Sequence, residues 1–162
     1  MGQVIHEKTP FKTIISNRKH ILYDKERGIF SVSDCYPYIE QYDVYGKHIK
    51  TFDLSSIPII EKAVNTAKKL SDQEKSVYIY IRDAYLANEH IYILCSSWDS
   101  QGDYKVNSIL ELSINDGMKH VSTYILPHDI YSSFCISDSY LFASQERTGT
   151  TIEKIKIGNA KK

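Results

Sequence analysis

The sequence predicts an all-β fold, about three four-stranded antiparallel units in a row with one short helical insertion. Three observations predict it. Runs with period-two alternation recur through the 162 residues, each closed by a turn rich in Asp, Asn, Gly or Ser. Tyrosine, at 13 residues against 5 Phe and 1 Trp, is the aromatic of half-buried strands, where the ring packs and the hydroxyl reaches water. A strand–turn–strand pattern also repeats along the chain.

The first two strands of a unit and their turn recur as ILYDKERGIFSVS (21–33), AYLANEHIYILCS (84–96) and FCISDSYLFASQ (134–145). The third strand recurs as IEQYDVYGK (39–47), ILELSINDG (109–117) and IEKIKIGNA (152–160). Aligned on Ile39, Ile109 and Ile152, the apolar residues return as Tyr42/Val44, Leu112/Ile114 and Ile155/Ile157. A fourth strand follows in two units, HIKTFDL (48–54) and MKHVSTYIL (118–126), and the third unit stops before one. FKTIIS (11–16) reads as a spare strand ahead of the first unit. Four strands repeating every ~50–60 residues is the arithmetic of a β-propeller blade, with blades expected at about 18–54, 78–127 and 130–160. Between the first two, SSIPIIEKAVNTAKKLSDQEKS (55–76) carries Ile60, Val64, Ala67 and Leu70 at helical spacing, with Glu61, Lys62, Lys68 and Lys69 left for the other face. It predicts a short amphipathic helix over about 57–72, started by Ser55, Ser56 and Pro58.

GIFSVSDCYPYIEQYDVYGKHIKTFDL (28–54) resembles the blade consensus of six-bladed β-propellers of the NHL-repeat and TolB-like kind. The matching residues are Ile29, Phe30, Val32, Ser33 and Asp34, then Ile39, Tyr42 and Asp43, then Gly46, Lys47, Thr51 and Phe52. The second unit repeats the pattern more loosely, and the third matches in apolar spacing alone. The resemblance implies a binding or scaffolding platform, exported or held in a cell envelope. The chain holds about half the blades of a closed six-bladed ring. It is therefore expected to be a single propeller-type unit that is part of a longer propeller, or one that pairs with a second copy; a curled sheet or a sandwich is the other antiparallel solution. An open half-ring exposes sheet faces and edges that proteins normally cover.

Composition narrows the function classes. Lys and Arg total 20 and Asp and Glu total 20, so no basic excess recommends nucleic acid as a partner. No stretch has the apolar length of a membrane helix, and MGQVIHEKTPFK lacks the apolar core of a signal peptide. Cys35, Cys95 and Cys135 form no C-x-x-C pair, and Cys95 and Cys135, inside apolar runs, are expected to behave as small core residues. The six histidines show no H-x-x-x-H or H-E-x-x-H spacing, and Walker, G-x-G-x-x-G and G-x-S-x-G motifs are missing. No metal, cofactor or catalytic residue is expected from these motifs.

Loops on a rigid scaffold are where binding groups sit. SSWDSQGDY (96–104) reads as a long hairpin loop holding the only Trp, Trp98, with Asp99 and Asp103. DCYPY (34–38) is its counterpart in the first unit, with Asp34, Tyr36 and Tyr38 braced by Pro37. A Trp flanked by carboxylates can stack on a sugar or a cation. The expected function is a non-catalytic module that presents these loops to a protein or glycan partner. The alternative is a propeller-type hydrolase or lyase using loop carboxylates and a divalent cation.

Overall fold

The structure, a computed structural model, describes residues 4–74, 78–99, 101–146 and 151–157. The fold class is the expected one: mostly β, as three antiparallel meander sheets of propeller-blade type, with two helices. The chain divides into two compact units, Met1–Ile81 and Arg82–Lys162.

The first unit opens with α1 (Pro10–Ser16), where a strand is expected. Its β-branched residues Thr13, Ile14 and Ile15 favour a strand by propensity, but the residues ahead of them decide the outcome. Thr9 accepts a hydrogen bond from the Lys12 amide at 3.3 Å and Pro10 takes the first helical turn, a paired start signal that preorganises the backbone. The Asn17 side chain closes the other end, bonding the backbone of Ile5 and of Thr13.

The first sheet is a four-stranded meander of β1 (Lys19–Asp24), β2 (Gly28–Ser33), β3 (Tyr38–Tyr42) and β4 (His48–Asp53). Phe30, Val32 and Ile39 are fully buried. The helix α2 (Pro58–Glu74) follows as the expected insertion. Ile57, Ile60, Ala63 and Ala67 are buried while Val64 and Leu70 are half-buried, so the buried stripe lies closer to Ala63 than the spacing of Ile60 and Val64 implies. Glu61, Lys62, Lys68 and Lys69 are exposed, as expected.

The second unit holds two sheets. The first comprises β5 (Ile81–Ala87, its first residue closing the first unit), β6 (His90–Trp98), β7 (Tyr104–Ser113) and β8 (Lys119–Ile125). The other comprises β9 (Tyr131–Ser137), β10 (Tyr140–Gln145) and β11 (Ile152–Lys156). They share one core, in which Tyr92, Leu94 and Ile109 meet Phe134, Ile136 and Leu141. Cys95 is buried as expected, but Cys135 is exposed. Phe134 and Ile136 on either side point inward, and the period of the strand turns Cys135 outward.

The repeat is structural. Each four-stranded sheet has a bulge at the same point of its third strand, between Gln41 and Tyr42 and between Glu111 and Leu112. Ile39 lies opposite Phe52, and Ile109 opposite Tyr124. In the fourth strands, His48 Nε2 sits 2.9 Å from Thr51 Oγ1 and His120 Nε2 sits 2.9 Å from Thr123 Oγ1. The same H-x-x-T spacing thus builds the same surface contact twice.

Candidate functional site

In the first unit, five separate pieces of chain enclose a cleft of ≈ 360 Å³. The loop between β2 and β3 supplies Cys35, Tyr36 and Pro37; α2 supplies Val64, Ala67 and Lys68; Tyr78 and Tyr80 follow the helix; Ser16 and Glu7 come from the N-terminal segment and Ser55 from the approach to α2. The loop is rigid for identifiable reasons. The Tyr38 amide donates to the Tyr36 carbonyl at 2.8 Å and the Leu54 amide to the Pro37 carbonyl at 2.7 Å. Tyr36 and Tyr38 stack with ring centroids 6.0 Å apart, and Lys19 Nζ lies over the Tyr38 ring.

The polar groups of the cleft are few. Ser16 Oγ donates to Glu7 Oε1 at 3.3 Å. The Tyr36 phenol is pushed above its ordinary range, first by burial and further by the Glu7 charge, although a hydrogen bond with Ser16 works the other way. Lys68 brings an exposed ammonium to the rim. A mostly apolar wall with one acid and one base suits a small uncharged ring or an aromatic or prolyl side chain.

Asp34 lies beneath the loop, 1% exposed. Its Oδ2 is 3.2 Å from Arg18 Nε and its Oδ1 is 3.0 Å from His20 Nε2. Its backbone amide donates to the Arg18 carbonyl, and its carbonyl accepts from the amides of Tyr80 and Ile81, each at 3.1 Å. Asp34 therefore joins the β1 and β2 ends to the segment after α2, and its carboxylate is buried beside Arg18 and His20.

The second expected loop is shorter than the sequence implies. Strand β6 runs through Trp98 and β7 begins at Tyr104, with these two residues paired. Trp98 is 9% exposed and meets the Tyr104 ring edge-on at 5.5 Å, so it packs on its own hairpin. Asp99 closes the turn: its Oδ1 accepts from the amides of Gln101 at 2.9 Å and Asp103 at 3.0 Å. These bonds, the Asp103 one foremost, hold the Asp99 carboxyl below the usual range, and Lys105 at 3.5 Å adds to them. Asp103 is exposed.

Of the six residues singled out by sequence, Asp34, Tyr36 and Tyr38 lie in the first unit and Trp98, Asp99 and Asp103 in the second. Only Tyr36 lines the cleft; Tyr38 braces it and Asp34 underpins it. Glu7, Lys68, Tyr78 and Tyr80 were not singled out. The alternation of Tyr78-Ile79-Tyr80 was the available signal for the last two, since it sets both tyrosines on one side of an extended segment. Among the described residues, no group of three or more His, Cys, Asp or Glu is placed to hold a metal.

The thiols give the cleft a chemical test. Cys35 lines it, but burial, and then the Asp34 charge, push its thiol up to about 12, and Sγ donates to the Ile15 carbonyl at 3.6 Å. The thiolate is the reactive species. With a maleimide reagent at neutral pH, exposed Cys135 is expected to label at least about tenfold faster than Cys35, and buried Cys95 more slowly still. Peptide mass spectrometry against time measures this; equal rates at Cys35 and Cys135 would show an activated thiol in the cleft.

No protein-family profile and no curated protein matches the chain by sequence. Among solved structures it is similar to the Neurospora crassa Pan2 WD40 domain, at 13% identity and a TM-score of 0.45, over 85% of this chain and 35% of that one. It is also similar to streptogramin B lyase, at 10% identity and a TM-score of 0.41, over 87% of this chain and 55% of that one. The chain spans about a third and about half the length of these two proteins.

Proposed function

We propose that the chain is a non-catalytic binding module, and that the cleft of its first unit receives a ring-bearing group from a protein or glycan partner. The observation that carries this reading is the cleft itself. Its ≈ 360 Å³ falls within the size range of small-ligand sites, about 300–1,000 Å³. Tyr36, Pro37, Tyr78 and Tyr80 give it broad apolar surface, while Glu7 and Lys68 offer one acceptor and one donor to fix orientation. Its wall loop is held by backbone bonds, so little ordering entropy opposes association. The same reading takes the three sheets as consecutive blades of a longer propeller of the NHL and TolB-like kind. The shared bulge, register and H-x-x-T contact support that view. Two of the loop carboxylates that a hydrolase or lyase would use are already occupied, Asp34 beside Arg18 and His20 and Asp99 by its own turn, which favours the binding reading.

The test is a glycan array and a display library of tyrosine- and proline-containing peptides, read with the unaltered chain and with Tyr36→Ala and Ser55→Trp. Tyr36→Ala removes a wall and Ser55→Trp fills the mouth. Each is expected to weaken a true cleft ligand by about tenfold or more, the size of effect that a central aromatic anchor produces. Ligands that ignore both substitutions but are lost on Asp103→Ala would move the site to the turn of the second unit.

A further inference from the structure

Glu7 brings an acid into the cleft of the first unit, and the fold holds it there. Its backbone amide donates to Thr13 Oγ1 at 3.0 Å, and the Thr13 hydroxyl donates to the Glu7 carbonyl at 3.5 Å. Thr13 belongs to α1, whose start Thr9 and Pro10 fix. The half-buried side chain meets Ser16, which is buried itself and donates to Oε1. Among the described residues, Oε2 has no hydrogen-bond partner and Glu7 has no ion-pair partner.

The other charges around the cleft do not cancel this one. Asp34 and Arg18 face each other at 3.2 Å and balance. Lys68 is exposed at the rim, where water screens it. Burial comes first in raising both the Tyr36 phenol and the Cys35 thiol, and the Glu7 charge adds to each. The walls have the same electrostatic character. Tyr36, Tyr78 and Tyr80 all line the cleft, and the face of an aromatic ring attracts cations. A neutral ring can pack on those tyrosines, but it strips water from the Glu7 carboxylate and gives nothing in exchange. A protonated amine beside the ring offsets that loss. In a polypeptide, an uncharged ring and a cationic amine share one residue only at the amino terminus.

Resting on the reading of the cleft as the site for a ring, we propose that its occupant is the amino-terminal residue of a partner polypeptide, a proline or an aromatic. Its α-ammonium sits on Glu7 and its ring among Tyr36, Tyr78 and Tyr80, while the rest of the partner leaves past Ser55. The mode is capture of a chain terminus, in which the terminal charge supplies the selection that an internal ring lacks.

The experiment titrates the full chain into three peptides labelled on their lysine side chain, read by fluorescence anisotropy: FAAAK, N-acetyl-FAAAK and AFAAK. FAAAK is expected to bind saturably and about tenfold or more tighter than its acetylated form, the range of one charge-assisted hydrogen bond. AFAAK, which moves the ring one residue from the ammonium, should lose a similar factor. Glu7→Gln keeps the acceptor for Ser16 and should bring FAAAK down to the affinity of the acetylated peptide, which itself stays unchanged. Raising the pH through about 8, where an α-ammonium loses its proton, should weaken FAAAK alone. Phenethylamine carries the ring and the ammonium without a chain; displacement of FAAAK at equal concentration would assign the cleft to free amines and overturn the polypeptide. No saturable binding of FAAAK, equal affinity of the free and acetylated peptides, or a preference that persists in Glu7→Gln would each overturn the proposal. If the free and acetylated peptides bind equally and both are lost on Tyr36→Ala, the cleft remains the ring site and only this inference falls. Binding of FAAAK that ignores Tyr36→Ala would overturn both.

Discussion

Replacing Gly28 with alanine is expected to lower unfolding free energy by about 3–5 kcal/mol, a large share of the ~5–15 kcal/mol that a domain possesses. Two causes combine. Gly28 has φ +89°, a backbone conformation that an L side chain enters at a cost of about 1–3 kcal/mol. A Cβ there would also lie 2.2 Å from the Tyr42 carbonyl oxygen, with the Asp43 Cα at 3.2 Å. These are backbone atoms of the neighbouring strand, beside its bulge, so no rotamer change relieves the clash and the β2–β3 pairing itself must open. Gly46→Ala separates the two causes. Gly46 has φ +81° but open space where its Cβ would stand, so its substitution should cost only the conformational part, about 1 kcal/mol. Urea unfolding followed by circular dichroism measures both. Equal losses at the two glycines would mean that the close approach to Tyr42 contributes nothing.

The contrast explains which parts of the molecule were legible in the sequence. Sheet architecture was, because the burial rule has period two and the isoleucines, bulges and turns repeat with it. Cys135 was legible by the same rule, given Phe134 and Ile136 on either side, and reading the run as uniformly apolar hid it. Helix α1 was hidden by a conflict between two signals, β-branched residues that favour a strand and a Thr9-Pro10 start that favours a helix; the start prevails because it satisfies amides that nothing else would satisfy. The hairpin loop of the second unit is shorter than its polar residues imply, because the ladder runs on through Ser96 and Ser97 to the aromatic pair Trp98–Tyr104. The cleft had no sequence signature. Glu7, Ser16, Tyr36, Lys68 and Tyr80 share no spacing, and only tertiary folding brings them together.

Asp34→Ala is expected to cost about 2–4 kcal/mol, toward the lower end of what breaking a buried ion pair costs. The carboxylate is buried, so its removal leaves the charge of Arg18 without its counter-ion and opens a gap beside the His20 ring. Arg18 is 52% exposed and can turn to water, which moderates the loss. Asp34→Asn keeps the backbone bonds to Arg18, Tyr80 and Ile81 and the side-chain volume, so it should cost less, about 1–2 kcal/mol. A second readout distinguishes this structural role from a ligand-binding one. The Asp34 charge helps to hold the Cys35 thiol up at about 12. Because the folded state favours the neutral thiol, that preference contributes fully below the ordinary thiol pKa of ~8.5 and is lost as pH climbs from there toward the folded value. Removing the Asp34 charge lets Cys35 ionise at lower pH, so Asp34→Asn should label faster at Cys35 above about pH 9, while Cys135 labels as before. Loss of ligand binding in Asp34→Asn with the unfolding midpoint and the Cys35 rate both unchanged would instead make Asp34 a contact to ligand. A lowered midpoint together with a faster Cys35 would place its role in the fold, holding the cleft loop over the ends of β1 and β2.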